Sequence, residues 1–199
     1  MAGMHIVTQP SVEPVTLPEA KQHLRVDVAD DDTLIAALIQ GAREACEAFI
    51  HGKLITQTWE VELDAWPTDQ APVLIPIEPL ISVESVKWAD ETNTVTTMTV
   101  TTDYLVDTDS EPGRIVLPPN NNWPGNSLWP VSPIKINLTA GFGADETKVP
   151  QLYRSGILMT LAAWYENREA VVASGAIPKE VPMGAKWCWW LGGRFWHGT

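Results

Sequence analysis

The chain has 199 residues, 45% of them hydrophobic and 19% charged, which is the profile of a folded domain and excludes a disordered chain. At this length folding buries roughly 70% of the surface of the unfolded chain, so neither disulfide nor metal is needed to secure a core. A net charge of −12, from 13 basic and 25 acidic residues, excludes a protein that grips nucleic acid through its phosphates, because that requires clustered Lys and Arg.

The two cysteines, Cys46 and Cys188, lie far apart in dissimilar surroundings, so a reduced cytoplasmic setting is expected rather than a disulfide framework. The start, Met1-Ala2-Gly3-Met4-His5, lacks the basic and apolar pattern of a signal peptide. No apolar run reaches the ~18 residues of a membrane span. Sixteen prolines and thirteen glycines imply many turns and a substantial β component.

In chain order, residues 1–15 read as an extended, loosely held arm. Thr16-Leu17-Pro18-Glu19 is a capping box that opens a first helix running to about Asp27. Asp30-Asp31-Asp32 then caps a second. Leu34, Ile35, Leu38, Ile39, Ala42, Ala45, Cys46, Phe49 and Ile50 recur at three- and four-residue steps, an amphipathic helix of about five turns stopped by Gly52.

From Leu54 the period becomes two, with Thr56, Thr58, Glu60, Glu62 and Asp64 alternating with Ile55, Gln57, Trp59, Val61 and Leu63. Further strands are predicted at 73–77, 83–89, 95–100, 104–107, 114–117 and 134–139, as a meander or small barrel. The thirteen residues Pro118 to Pro130, with Trp123 and Trp129, form a loop long enough to mark an interface element. A third helix begins at Val149-Pro150 and runs to about Ala170, with Gly156 permitting close approach of a neighbouring helix.

The expected fold is α+β: a three-helix bundle from two N-terminal helices and one long C-terminal helix, with an inserted antiparallel β subdomain and an extended C-terminal tail. The expected boundaries are 1–15 for the arm, 16–53 with 149–172 for the helical core, 54–148 for the β subdomain and 173–199 for the aromatic tail.

Several segments together carry a family resemblance. Val15-Thr16-Leu17-Pro18-Glu19-Ala20-Lys21, Asp30-Asp31-Asp32-Thr33-Leu34-Ile35, Leu54-Ile55-Thr56-Gln57-Thr58-Trp59, Asp109-Ser110-Glu111-Pro112-Gly113-Arg114, Thr139-Ala140-Gly141-Phe142-Gly143 and Trp164-Tyr165-Glu166-Asn167-Arg168-Glu169-Ala170 follow in that order across residues 15–170. The pattern resembles the head–tail connector (adaptor) proteins of tailed phages and of gene transfer agents. The resemblance implies a structural, non-enzymatic subunit of the virion neck, made in the host cytoplasm. It also implies a homo-oligomeric ring, commonly a dodecamer, that joins the portal protein to a tail-side or head-completion protein. DNA would pass through without specific binding; an acidic wall that repels phosphates suits such a conduit, although solubility is the plainer reading of the acidity.

The tail from Lys186 to His197 holds four of the ten tryptophans, two cations and no acid. A core reading places these rings inside their own domain, whereas aromatic-plus-Arg clusters dominate binding hot spots. On the interface reading the family resemblance implies the portal as recipient, with Trp187, Trp189, Trp190, Arg194, Phe195 and Trp196 as the candidate portal-binding residues. Trp123, Trp129, Glu166, Arg168 and Glu169 are candidate contacts with a neighbouring subunit or a tail component, with surface pairing within the third helix the equal alternative for the last three.

No catalytic, metal or cofactor site is expected. His5, His23, His51 and His197 have no ligand spacing to one another or to a cysteine. Asp107, Asp109 and Glu111 imitate a calcium loop but place Pro112 where its glycine belongs, so a hairpin turn is expected there. The rival reading is a carbohydrate- or receptor-binding β module of a virus particle, since exposed Trp stacks on sugars.

Overall fold

In the computed structural model, residues 3–125, 127–167 and 181–192 are described. The fold is α+β, with four helices and antiparallel sheets among those residues. The chain divides into two compact units, Ser11–Ile55 with Gly143–Thr199, and Met1–Pro10 with Thr56–Phe142.

The helical unit opens with α1, Leu17–Leu24. Thr16 Oγ1 accepts from the Glu19 N–H at 3.3 Å, which is half of the predicted capping box. The other half is diverted, because the Glu19 carboxylate accepts from Arg154 at 2.6 Å. The helix stops three residues before the predicted Asp27. Arg25 turns left-handed at φ 58°, and the N–H of Val26 closes back on the Lys21 carbonyl at 3.0 Å.

The second helix, α2, spans Asp32–Ile50. Asp31 sits at its N-cap without the predicted carboxylate cap. Stronger donors claim these acids: Tyr165 donates its hydroxyl to Asp31 at 2.6 Å, and Lys21 pairs with Asp32 at 2.6 Å. At the far end His51, not Gly52, takes the left-handed cap conformation, at φ 50°. Ile35, Ile39, Ala42, Cys46 and Ile50 are buried, as the periodicity required. Burial pushes the Cys46 thiol up, so it stays protonated and inert.

On the same face Arg43 and Glu47 are also buried. Arg43 donates to Glu13 at 2.8 Å and to Glu47 at 3.3 Å, while Glu47 also accepts the Leu54 N–H at 3.1 Å. One guanidinium thus ties the segment before α1 to the turn after α2. Desolvation raises the Glu13 carboxyl above its usual range, against the pull of Arg43.

The third helix, α3, spans Gln151–Glu166, short of the predicted end at Ala170, which lies outside the described residues. The fourth, α4, spans Met183–Leu191, inside the segment expected to be an extended tail. Its i, i+4 pair Ala185 and Trp189 is buried, and that spacing, hidden among the other tryptophans, is what makes it helical. α3 packs on α2 and α4, and α1 on α2 and α3.

The contact of α3 with α4 rests on two glycines. The Trp189 ring lies against Gly156 of α3, and the Tyr153 ring of α3 lies against Gly192 at the end of α4. A Cβ on either glycine would overlap the opposing ring. Phe49 of α2 closes the site, its ring centroid 5.7 Å from that of Trp189.

The β unit has a five-stranded sheet in the order β1-β2-β8-β4-β5, built from Gly3–Thr8, Gln57–Leu63, Ile134–Ala140, Leu80–Ala89 and Val95–Thr97. Its three-stranded sheet runs β3-β7-β6, from Val73–Leu74, Arg114–Val116 and Leu105–Asp107. All these strands fall in predicted strand segments except β1, which lies in the segment expected to be a loose arm. Gly3 to Thr8 instead pairs antiparallel with β2 and satisfies the main-chain groups of an otherwise open edge. The order is no meander, because β8 inserts between β2 and β4. Val61, Val86, Ile134, Ile136 and Leu138 from one sheet and Val73 and Ile115 from the other share one core.

The predicted hairpin turn joins β6 to β7. Asp107 accepts from the N–H groups of Asp109 and Ser110, from the Ser110 hydroxyl at 2.7 Å and from Arg114 at 2.8 Å. The Ser110 and Arg114 hydrogen bonds bring its carboxyl down to about 2. A carboxyl lowered in the folded state contributes stability that is complete above its ordinary 3.8 and is lost as pH falls toward about 2. Side-chain NMR titration should place the Asp107 midpoint near 2. In Asp107→Asn the amide of Ser110 should exchange faster at neutral pH, and this part of the acid dependence should vanish. In the helical unit, Gly156→Ala should destabilise by about 1–3 kcal/mol in urea unfolding; unchanged stability would mean that the Trp189 ring does not sit against this glycine.

Candidate assembly surfaces

Two of the sequence-selected tail residues lie on the solvent side of α4. Trp187 is 59% exposed and Trp190 50%, and their rings stack at 5.1 Å with 20° between planes. The i, i+3 spacing puts them on one face, next to Met183 and Leu191, which are 85% and 49% exposed. Trp189 points the other way and is fully buried within its own unit. Arg194, Phe195 and Trp196 lie outside the described residues. The helix therefore divides its aromatics: one ring anchors the element, and two stand half-exposed on its other face.

Of the loop tryptophans, Trp123 is engaged locally. It stacks on Trp66 at 4.6 Å, nearly parallel, and donates its backbone N–H to Gln70 and its indole N–H to the Ala71 carbonyl. Trp129 is 39% exposed, and its N–H donates to the Ala89 carbonyl at 3.1 Å. Glu166 is exposed at the end of α3, and Arg168 and Glu169 lie outside the described residues.

Cross-strand register assembles a group that sequence spacing missed. His5 on β1 and Glu60 and Glu62 on β2 place their ligand atoms within 4.8 Å of one another. Lys135 on β8 reaches Glu60 at 3.0 Å and Glu62 at 3.1 Å, so the carboxylates already share a cation. Those contacts raise the Lys135 ammonium, Glu60 first, and lower the Glu62 carboxyl. Only the pairing of three strands creates this group, and no linear motif announces it.

Charge is unevenly shared between the units. Met1–Pro10 with Thr56–Phe142 holds 12 acidic and 3 basic residues, a net of −9, and the remainder holds 13 and 10, a net of −3.

These surfaces consist of apolar faces, acidic strands and a stacked aromatic pair. A family model matches residues 14–110, from the segment before α1 to the turn after β6. It describes the phage gp6-like head–tail connector proteins. The resemblance read from the sequence is borne out. Among curated proteins no sequence match is found. Among the solved chains that share the fold are three that match over 94% of both lengths. One is from the virion of a native gene transfer agent particle, at 22% identity and a TM-score of 0.73. The second is from the neck of an empty particle computed with C6 symmetry, at 24% and 0.71. The third is from the neck of a native particle computed with C12 symmetry, at 23% and 0.72.

The division of α4 is open to measurement. Trp189→Ala should destabilise the helical unit by about 3–5 kcal/mol in urea unfolding, as expected for truncating a buried Trp. Trp187→Ser and Trp190→Ser should each stay within about 0.5 kcal/mol of the parent. The reverse ranking would show that the helix docks through its other face.

Proposed function

We propose that the chain is a head–tail connector subunit of a tailed, phage-like particle. It forms a homomeric ring, taken as a dodecamer, between the portal protein and a tail-side or head-completion protein. The observation that carries this reading is the likeness to gene transfer agent chains over 94% of both lengths, alongside the connector-family match. The work of such a subunit is mechanical. It presents surfaces, holds a channel open and transforms no substrate. It is made in the host cytoplasm and resides in the virion neck.

A closed ring of identical subunits needs heterologous contacts, in which one face meets a different face of the next copy. In this reading α1, α2 and α3 form the three-helix ring core, and most of the β unit is inserted in the chain between α2 and α3. Glu166, Arg168 and Glu169 pair across subunits, and Trp129 meets a tail-side component. The acidity of the chain keeps passing DNA from adhering, since like charge repels phosphate.

The portal anchor is the exposed face of α4, centred on Trp187 and Trp190. Paired, half-exposed aromatic rings are the residue type that supplies most of the energy of protein interfaces. A sugar-binding reading is not favoured, because Trp123 spends its ring face on Trp66 and both its N–H groups on the chain.

Ending the chain before α4 would remove buried Trp189, so point variants give the cleaner test. The double substitution Trp187→Ala with Trp190→Ala should leave circular dichroism unchanged and weaken binding to purified portal rings by about thirtyfold or more. Undiminished binding would sink the anchor. A parent protein that never decorates portal rings in electron micrographs would sink the connector reading itself.

A further inference from the structure

The β unit carries a groove of about 410 Å³ on its five-stranded sheet, with Lys87, Trp88, Val95, Trp129, Val131 and Lys135 among its lining residues. One wall is β4 with the edge strand β5, and the other is the loop from Leu128 to Pro133. Main-chain hydrogen bonds fix that loop. Trp129 donates to the Ala89 carbonyl at 3.1 Å, and Ala89 donates to the Pro133 carbonyl at 2.9 Å. Val95 is 61% exposed and Val131 69%, so apolar surface stands open on both sides.

The floor is electrostatically incomplete. Lys87 and Lys135 are directly opposite one another on β4 and β8, an arrangement that like charges make unfavourable. Lys135 is relieved by Glu60 and Glu62. Of the three basic residues in this unit, Arg114 pairs with Asp107 and Lys135 with those glutamates, whereas Lys87 has no carboxylate partner among the described residues. In a unit with a net charge of −9, the one uncompensated cation is half-buried in the groove with the open apolar wall.

The edge beside it is that of an unfinished sheet. Among the described residues β5 has a strand on one side only. Met98 donates inward to Val86, and Asp90 on β4 donates to Thr94. By the alternation of an antiparallel ladder, Val95 and Thr97 therefore turn their main-chain groups outward. A strip of free donors and acceptors beside an apolar groove fits an extended polypeptide.

We propose that this groove docks an extended segment of a different protein, one that lays an aromatic or aliphatic side chain between Val95, Trp129 and Val131 and delivers a single carboxylate to Lys87. The carboxylate supplies the partner Lys87 lacks and relieves its opposition to Lys135. Further acids in the segment are disfavoured by the surrounding charge. The site does not involve α4; it shares Trp129 with the tail-side contact of the connector reading, and its peptide binding is measured without portal or tail components.

The test is a selection of random twelve-residue peptides, about 10⁷ sequences on beads, on the full-length chain, with individual affinities then measured by fluorescence polarisation. Enriched peptides should carry one Asp or Glu within a few residues of an aromatic or aliphatic residue. Lys87→Glu and Trp129→Ala, both with unchanged circular dichroism, should each weaken their binding by about tenfold or more. Backbone amide shifts should move at 87–97 and 128–133. Any of four results overturns the proposal: no enrichment, enrichment of peptides without an acid, equal binding to Lys87→Glu, or enriched sequences that copy this chain's own.

Discussion

The helical unit depends on one reciprocal contact, in which each of two neighbouring helices offers a glycine to the other's aromatic ring. Trp189 of α4 lies on Gly156 of α3, and Tyr153 of α3 lies on Gly192 at the end of α4. Without a Cβ on either side the ring approaches the backbone itself, which brings the helices closer than any larger residue allows. A helix of nine residues is too short to persist alone in water, so α4 exists because this contact holds it. The exposure of Trp187 and Trp190 is a consequence, since once Trp189 faces inward the i, i+3 pair must face out.

A second constraint is ionic. Arg43 and Glu47 are buried on a face otherwise made of Ile, Ala and Cys, and Arg43 is tolerable there only because Glu13 and Glu47 surround it. Glu47 also receives the Leu54 N–H. The cluster thus fixes the chain on either side of α1 and α2 in a way an apolar face alone would not specify. The cost of such a cluster is visible in Glu13, whose carboxyl burial raises despite its cationic neighbour.

In the β unit the division of labour follows the pleat. One face of β2, β8 and β4 supplies Val61, Ile136, Leu138 and Val86 to the core, and the other carries Glu60, Glu62, Lys135 and Lys87. Register decides which of those charges meet. It gives Lys135 two carboxylates and leaves Lys87 opposite a like charge, a difference that neither residue's sequence neighbourhood contains.

The sequence alone determined what local periodicity and turn chemistry can carry. These were the core face of α2, the Thr16 cap, the start of α3, the Asp107 turn, seven of the eight strands and the ordered motifs that pointed to connector proteins. Each of these depends on residues a few positions apart. Tertiary structure decided the rest, because it depends on partners far along the chain. Edge pairing made Gly3–Thr8 a strand, and Tyr165 and Lys21 drew Asp31 and Asp32 away from capping. A glycine on α3 turned part of a supposed extended tail into a helix with one buried and two exposed tryptophans. Side-chain identity sets what each group can bond to, but only the fold sets which group arrives first.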